Sequence, residues 1–202
     1  MERQSNPSEP MVSEAISDAE CVRRLQRGET DAFETLVRRH QKAIFNLVYR
    51  MLGDYDEAAE ISQETFLSAY RGIGQFRGDA HFSTWLYRIA FNHASTRRKS
   101  LNLAQQRYTS LDGAEAIGDE TVDPARTAEQ KELQQRVQQA LNSLDKDDAA
   151  IILLRDLQDA SYDEVAAILE IPVGTVKSRL HRARLALKTR LAPYFKANRK
   201  AS

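Results

Sequence analysis

Residues 161–187, SYDEVAAILEIPVGTVKSRLHRARLAL, have the pattern of two helices joined by a tight turn. Ser161 can cap the first helix, and Glu164, three residues further on, completes a capping box. Pro172 cannot continue that helix and favours extended backbone at the residue before it. Apolar residues of the second helix recur at the spacing of one buried face: Val176, Leu180, Ala183 and Leu187. The stretch therefore predicts a helix-turn-helix.

The opposite face of the second helix is small or polar near its start and basic further on. Projected at about 100° per residue, it carries Gly174, Thr175, Lys177, Ser178, His181 and Arg182. Small side chains allow close approach to the DNA major groove, and basic ones reach guanine acceptors or phosphates. Arg179 and Arg184 lie on the flanks, where phosphate contact is favoured. The alternative is an ordinary helical hairpin with a charged exterior.

Outside this motif the apolar period is also helical. Helices are predicted near residues 18–27, 31–52, 54–73, 82–99, 126–142, 145–157, 161–169 and 173–195. Thr30 or Asp31 can cap the second helix, and Gly53 can end it. No stretch alternates with period two for long enough to indicate a strand. The predicted fold is all-α, with two small helical domains joined by an acidic flexible linker.

Composition sets the predicted boundaries. Residues 1–16 are polar with two prolines and are expected to form a disordered tail, and residues 101–125 hold two glycines, one proline and many acids, as a linker would. The predicted segments are a tail at 1–16, a first domain at 17–100, a linker at 101–125, a second domain at 126–195 and a tail at 196–202.

The segment FRGDAHFSTWLYRIAF at residues 76–91 contains five aromatic residues in 16 positions. Several cations surround it, among them Arg71, Arg77 and Arg88. Aromatic rings can stack on unpaired bases while cations hold phosphates, an arrangement suited to single-stranded nucleic acid. The alternative is that the rings pack in the core against helix 31–52. We expect most of them to be at least partly buried there. The rings fall on several sides of the helix, so that burying all of them is difficult.

The helix start DYDEAAEISQETF at residues 54–66 is acidic, with Asp56, Glu57, Glu60 and Glu64 expected to be exposed. Such a face would repel DNA. It is either plain solvated surface or a protein docking site, and spacing alone slightly favours the first.

Composition excludes several classes of protein. The 202 residues are 42% hydrophobic, enough for a packed core, yet no apolar run approaches the roughly 20 residues of a membrane span. The polar N-terminus has no secretory signal, and the single cysteine, Cys21, excludes an internal disulfide framework. The four histidines form no close-spaced ligand motif. These features predict a soluble cytoplasmic protein without a metal site.

The formal net charge of zero hides a strong asymmetry, since 29 basic residues balance 29 acidic ones. Residues 171–202 carry nine basic and no acidic side chains, and residues 21–100 carry 13 basic and nine acidic ones. Charge clustering of this kind indicates a polyanion-binding surface or a basic tail.

Two blocks together resemble one known family. DAFETLVRRHQKAIFNLVYRMLGDYDEAAEISQETFLSAYRGIGQFRGDAHFSTWLYRIAFN (31–92) and the 161–187 motif occur in the order typical of extracytoplasmic-function (ECF) sigma factors, the small two-domain members of the sigma-70 family of bacterial RNA polymerase. The resemblance covers about residues 20–100 and 126–192. It implies an initiation subunit that directs core polymerase to specific promoters, in a stress response and under an anti-sigma factor.

The resemblance also implies a role for each surface. The 54–73 helix would dock on the clamp helices of the polymerase β′ subunit through Asp56, Glu60, Gln63 and Glu64. The loop and helix at 76–92 would open and read the −10 element. Its contact residues would be Arg71, Phe76, Arg77, His81, Ser83, Thr84, Trp85, Tyr87, Arg88 and Asn92. The second domain would touch the β flap and read the −35 element through Gly174, Thr175, Lys177, Ser178, Arg179, His181 and Arg182.

Two other function classes compete with this interpretation. A free-standing helix-turn-helix regulator would need no melting surface, so the aromatic and basic segment argues against it. An enzyme is disfavoured because the sequence has no phosphate-cradling glycine loop, metal-ligand cluster or nucleophile–base spacing. No cofactor and no small-molecule substrate are expected.

Overall fold

The computed structural model describes residues 16–109 and 128–201, and all regular structure in these ranges is helical. The α-helices are α1 (Asp18–Gln26), α2 (Asp31–Leu52), α3 (Tyr55–Gly72), α4 (Phe82–Thr109), α5 (Ala128–Asn142), α6 (Lys146–Ile152), α7 (Tyr162–Leu169) and α8 (Val173–Ala201). A 3₁₀ turn (Ile73–Gln75) follows α3, and a π-helical turn (Leu153–Leu157) follows α6. The predicted all-α class is confirmed. Residues 1–15 of the expected tail and residues 110–125 of the expected linker lie outside the described residues.

Local signals explain most helix ends. Ser17 and Asp54 accept hydrogen bonds from the backbone N–H groups of Glu20 and Glu57, at 3.3 and 2.8 Å, which satisfies otherwise unpaired donors at the starts of α1 and α3. Gly53 ends α2 in the left-handed conformation, with φ 81°, as glycine allows. Thr30 occupies the N-cap position of α2, but its side chain makes no capping hydrogen bond. Of the two caps predicted here, Thr30 or Asp31, the one by the Thr30 side chain is therefore wrong.

Two helices run further than the sequence pattern predicts. Helix α4 continues through residues 101–109, which we assigned to the linker, and α8 continues through most of the predicted tail at 196–202. Both extensions lack glycine and proline and are rich in helix-forming residues. The glycines and proline that indicated a linker all lie beyond residue 109.

Helices α1 to α4 form one packed group around buried aliphatic side chains such as Leu36, Leu47 and Leu86. Helices α5 to α8 form a second group around Ile151 and Leu180. Burial of these apolar surfaces is the main stabilising contribution.

The two groups pack against each other. The most extensive contact joins α4 to α7, and α2 also touches α5 and α6. Gln138 donates from Nε2 to the backbone carbonyl of Arg50 at 2.8 Å, and Arg98 donates to that of Asn142 at 3.0 Å. None of the helices in the described ranges has the length and apolar character needed to cross a bilayer.

Candidate nucleic-acid interface

The turn between α7 and α8 is fixed by reciprocal hydrogen bonds and by proline. The backbone N–H of Glu164 donates to Ser161 Oγ at 3.2 Å, and that of Ser161 donates to Glu164 Oε2 at 2.8 Å, so the predicted capping box is present. Glu170 ends α7 in the left-handed conformation, with φ 56°. The carbonyl of Pro172 then accepts from the N–H of Thr175 at 2.9 Å, which starts α8. The predicted helix-turn-helix is thus present in the structure.

On the predicted apolar face of α8, Val176, Leu180 and Ala183 are at most 2% exposed, and Leu187 is half-buried. The residues predicted to face DNA lie on the other side. Gly174, Lys177, Ser178, His181 and Arg182 are exposed, and Thr175 and Arg179 are half-buried. We call these seven residues the α8 face. A side chain added at Gly174 would meet no atom of the chain within 4 Å, so the surface there is open.

The flanking cations of α8 are held by acids of their own domain. Arg179 Nη1 donates to Asp147 Oδ2 at 2.9 Å, and Arg184 Nε donates to Asp156 Oδ2 at 3.1 Å. The hydrogen bond to Asp147 raises the pKa of the Arg179 guanidinium above its ordinary value. The carboxylates hold the guanidinium groups of Arg179, at the edge of the α8 face, and of Arg184, beside it, a role that the sequence pattern did not reveal.

The loop before α4 is held by an aromatic cluster and a glutamine. The rings of Phe76, Phe82 and Trp85 lie 5.1 to 6.1 Å apart, at the distances of favourable aromatic pairs. Gln26 Nε2 donates to the carbonyls of Ile73 and Phe76 at 2.9 and 2.8 Å. Sequence reasoning missed Gln26, because it lies some 50 positions from the loop that it fixes.

The residues predicted to bind the −10 element do not all lie on one open surface. Arg71, Arg77, His81 and Asn92 are exposed, whereas Phe76, Ser83, Trp85 and Arg88 are half-buried, and Thr84 and Tyr87 are buried. Thr84 Oγ1 donates to Glu164 Oε1 at 3.1 Å, and Tyr87 Oη donates to Gln158 Oε1 at 2.9 Å.

The expectation that most of the five rings of this segment lie at least partly in the core, and that burying all five is difficult, agrees with the structure. Phe82, Tyr87 and Phe91 are buried, and the other two, Phe76 and Trp85, are half-buried. Three rings are buried because α4 packs against several helices. Helices α2 and α3 cover one side, and α7 covers another.

Two residues at the contact between α4 and α7 have shifted pKa values. Burial raises the pKa of the Tyr87 phenol above its ordinary value, and the nearby carboxylate of Glu164 adds to this effect. The pKa of Glu164 is lowered, first by the hydrogen bond from the Ser161 backbone and further by bonds from the hydroxyls of Ser161 and Thr84.

The acidic side of α3 is exposed at all four positions predicted to dock on polymerase: Asp56, Glu60, Gln63 and Glu64. Leu67 extends this side and is 46% exposed. Glu57 was expected on the same face, but it is half-buried and pairs with Arg97, which also reaches Glu60 at 3.1 Å.

A groove of about 540 Å³ lies between α3 and α4 beside these acids. His93 lines it, with Nε2 3.0 Å from Ser68 Oγ and Nδ1 3.7 Å from Glu64 Oε2. Among the described side chains there is no cluster of three or more His, Cys, Asp or Glu that could hold a metal ion.

Models of known protein families match both halves of the chain. The family model for sigma-70 region 2 matches residues 36–102, and the model for sigma-70 region 4 matches residues 134–187. The first match spans most of α2, all of α3 and most of α4, and the second includes the helix-turn-helix.

Curated relatives and a solved structure match nearly the whole chain. The RNA polymerase sigma-H factor of Pseudomonas aeruginosa is 36% identical over 186 residues, which cover 89% of this chain and 96% of the relative. The ECF RNA polymerase sigma-E factor of Escherichia coli K12 is 38% identical over 195 residues, covering 92% and 100%. The structure of CnrH in complex with the cytosolic domain of CnrY has a TM-score of 0.67 at 26% identity, covering 89% of this chain and 99% of that one. This chain therefore belongs to the extracytoplasmic-function sigma factors, the promoter-selecting subunits of bacterial RNA polymerase.

Proposed function

We propose that this sigma factor holds promoter DNA through two separate surfaces and core polymerase through a third. The α8 face reads the −35 element as duplex. The observation that carries this assignment is the exposure of small, polar and basic residues along α8, opposite an apolar stripe in which Val176, Leu180 and Ala183 are buried. Gly174 and Ser178 allow close approach to base edges, while Lys177 and Arg182 supply contacts to guanine or phosphate.

The second DNA surface is the loop and first turns of α4, which capture the opened −10 strand. Its support is the pair of half-buried rings, Phe76 and Trp85, which contact each other, together with the exposed cations Arg71 and Arg77 of the same segment of chain. A half-buried ring already has one packed side and can offer the other to an unstacked base. Capturing a base offsets part of the cost of melting, a few kcal/mol per step in order of magnitude.

The polymerase surface that we propose is the exposed side of α3, with Asp56, Glu60, Gln63 and Glu64 against the β′ clamp helices. Carboxylates on this side repel DNA and suit a basic or polar protein surface. Exposed Leu67 adds an apolar contact in line with the acids. The second domain adds a contact to the β flap.

Two weak DNA contacts on one polymerase gain strength through effective concentration, so neither needs high affinity alone. The sigma factor supplies recognition and strand capture, and the polymerase forms the phosphodiester bonds. We therefore infer no catalytic residue, cofactor or small-molecule substrate in this chain. Its place of action is the cytoplasm, where bacterial promoter DNA and polymerase are found.

We further propose that an anti-sigma factor controls this chain. The support is the solved structure of the sigma factor RpoE from Bartonella quintana in complex with the anti-sigma factor NepR, whose fold this chain shares over 81% of its length with a TM-score of 0.66.

Run-off transcription tests the function as a whole. Purified chain is added to core polymerase with genomic promoter fragments, and discrete transcripts that depend on the chain are expected. Core polymerase alone is the background control. A second control is the Asp56→Lys/Glu60→Lys variant, which should bind core polymerase less tightly while remaining folded. A folded chain that yields no specific transcript from any promoter would refute the proposal.

A further inference from the structure

Gln26, the last residue of α1, is bonded to the start and to the exit of the 3₁₀ turn that leads into the proposed strand-capturing loop. Its Nε2 donates to the backbone carbonyl of Ile73 at 2.9 Å and to that of Phe76 at 2.8 Å. The carbonyl of Ile73 also accepts from the N–H of Phe76 at 3.1 Å, which closes the turn. One side chain therefore fixes both the position of the turn and the direction in which the chain leaves it.

The loop that follows the turn has few constraints of its own. Residues 77–80 make no hydrogen bond to another backbone group of the described chain. Gly78 adopts a φ of 79°, which glycine allows without strain. Arg77 and Asp79 form an ion pair at 3.8 Å, but both side chains are more than 80% exposed, and such pairs contribute little. The loop is thus positioned mainly by groups outside it, namely Gln26 and the aromatic cluster before α4.

The helix that carries Gln26 is anchored to α2. Asp18, in the first turn of α1, accepts from Arg39 Nη1 at 2.8 Å and lies 2.6 Å from His40 Nε2. The ring of His40 packs in turn on Phe82 of the aromatic cluster, with the ring centroids 5.5 Å apart. Gln26 therefore projects from a fixed element, as a side chain that positions a binding loop must.

We propose that Gln26 is a positioning residue for capture of the −10 strand. By fixing the 3₁₀ turn and its exit, it holds the loop at 76–81 and the free side of the Phe76 ring in the conformation that receives an unstacked base. A loop that is already ordered loses less entropy on binding, and its affinity is correspondingly higher. The inference rests on the proposed function of this surface, and it requires no contact between Gln26 and the DNA.

The strength of the two hydrogen bonds sets the size of the expected effect. Two bonds of ordinary net strength together favour the ordered loop by a factor of roughly 5 to 150. Because Gln26 is exposed, water competes for its amide, and the lower part of this range applies. We therefore expect the loss of both bonds to weaken base capture about fivefold.

The test compares two replacements of Gln26 in the full chain. Gln26→Met has nearly the same length but no donor, whereas Gln26→Lys restores a donor at the end of a flexible side chain. The same two replacements at Gln41, an exposed residue of α2, are the matched controls. They make the same changes in charge and hydrophobicity while leaving Gln26 and its two acceptors in place. Since both positions are exposed, none of the four variants opens a cavity in the core, and each should keep the circular dichroism of the wild type.

The first measurement follows the loop in the free chain. Trp85 is the only tryptophan in the sequence, and its ring centroid lies 5.1 Å from that of Phe76. Quenching of its fluorescence by acrylamide therefore reports movement of the loop away from the aromatic cluster. We expect stronger quenching in Gln26→Met, and quenching like that of the wild type in Gln26→Lys and in both Gln41 variants.

The second measurement follows base capture by the holoenzyme. Each variant is combined with core polymerase and titrated with a labelled fork of a promoter found by run-off transcription, in which the non-template −10 strand is unpaired. A second fork carries abasic sites in that strand. The ratio of the two affinities isolates recognition of the bases, because polymerase docking, duplex contacts and inactive protein affect both forks alike. We expect the ratio to fall about fivefold in Gln26→Met, to recover in Gln26→Lys, and to stay unchanged in the Gln41 variants.

An affinity ratio in Gln26→Met equal to that of the wild type would overturn the inference, whether or not the quenching changes. A Gln26→Lys variant as impaired as Gln26→Met would overturn it too, because a donor at this position would then not be what holds the loop. A wild type that binds both forks equally would instead refute the proposed strand-capturing function of this surface, and the inference with it. The wild-type ratio therefore distinguishes the two failures.

Discussion

Replacing Gly174 by Ala is expected to stabilise the protein and weaken its binding to −35 DNA. Gly174 lies in the first turn of α8, and its backbone is not in the left-handed region that favours glycine. A Cβ at this position meets no other atom within 4 Å. Ala lowers the entropy of the unfolded chain without a steric cost, so the gain is about 0.5–1 kcal/mol. For a chain of this size, that corresponds to a rise in Tm of roughly 1–4 °C.

The effect on DNA binding has the opposite sign. The added methyl group lies on the α8 face beside Lys177 and Ser178, where the proposed contact brings base edges against the helix. A displaced base contact costs about 1–3 kcal/mol. Because 1.4 kcal/mol is tenfold in affinity, binding should weaken roughly 5- to 150-fold.

Thermal unfolding followed by circular dichroism measures the change in stability. Anisotropy titration with a promoter duplex selected by run-off transcription measures the change in −35 affinity. Gly74→Ala is the matched control, because Gly74 lies in the 3₁₀ turn after α3 and a Cβ there also meets open space. It should leave −35 affinity unchanged. Stabilised Gly174→Ala protein with full −35 affinity would refute close approach of DNA to this face, and a loss of stability would refute the steric argument.

Three further predictions concern single side chains. Arg182→Ala should weaken −35 binding and reduce the slope of log affinity against log salt concentration by about one if Arg182 contacts phosphate, and an unchanged affinity would exclude Arg182 from the interface. Trp85→Ala should slow promoter opening in a fluorescence assay, whereas normal opening by a variant with wild-type circular dichroism would restrict Trp85 to packing. Glu164 has a pKa below its ordinary value of 4.5 in the folded state, so its contribution to stability is present above that pH and is lost as pH falls through the lowered pKa. Urea unfolding of Glu164→Gln should therefore show a shallower loss of stability in this acidic range, and a pH dependence equal to that of the wild type would contradict the assignment.

Short-range sequence signals predicted the helix-turn-helix in detail. Ser161, Glu164 and Pro172 act within a few residues of one another, and the buried stripe of α8 follows directly from its 3.6-residue period. Helix ends were predicted less well where no glycine or proline stood at the true end. The extension of α4 to Thr109 is the clearest case.

Contacts between residues distant in sequence could not be predicted. Glu57 looked like one more exposed acid, but it pairs with Arg97, 40 positions away. Gln26 had no recognisable role until the fold brought it to the carbonyls of Ile73 and Phe76. Periodicity says which side of a helix is apolar, but it does not identify the element that packs against it.

The sequence by itself determined the all-α class, the recognition-helix face, the aromatic and basic segment, and the resemblance to ECF sigma factors, because each depends on residue types at short, fixed spacing. Only the tertiary structure decided that the two helical groups close on each other, burying Thr84 and Tyr87 under α7 while the α8 face stays exposed. That arrangement depends on shape and charge matching between α4 and α7. These surfaces lie about 70 to 80 residues apart along the chain, a separation over which no periodic pattern carries information.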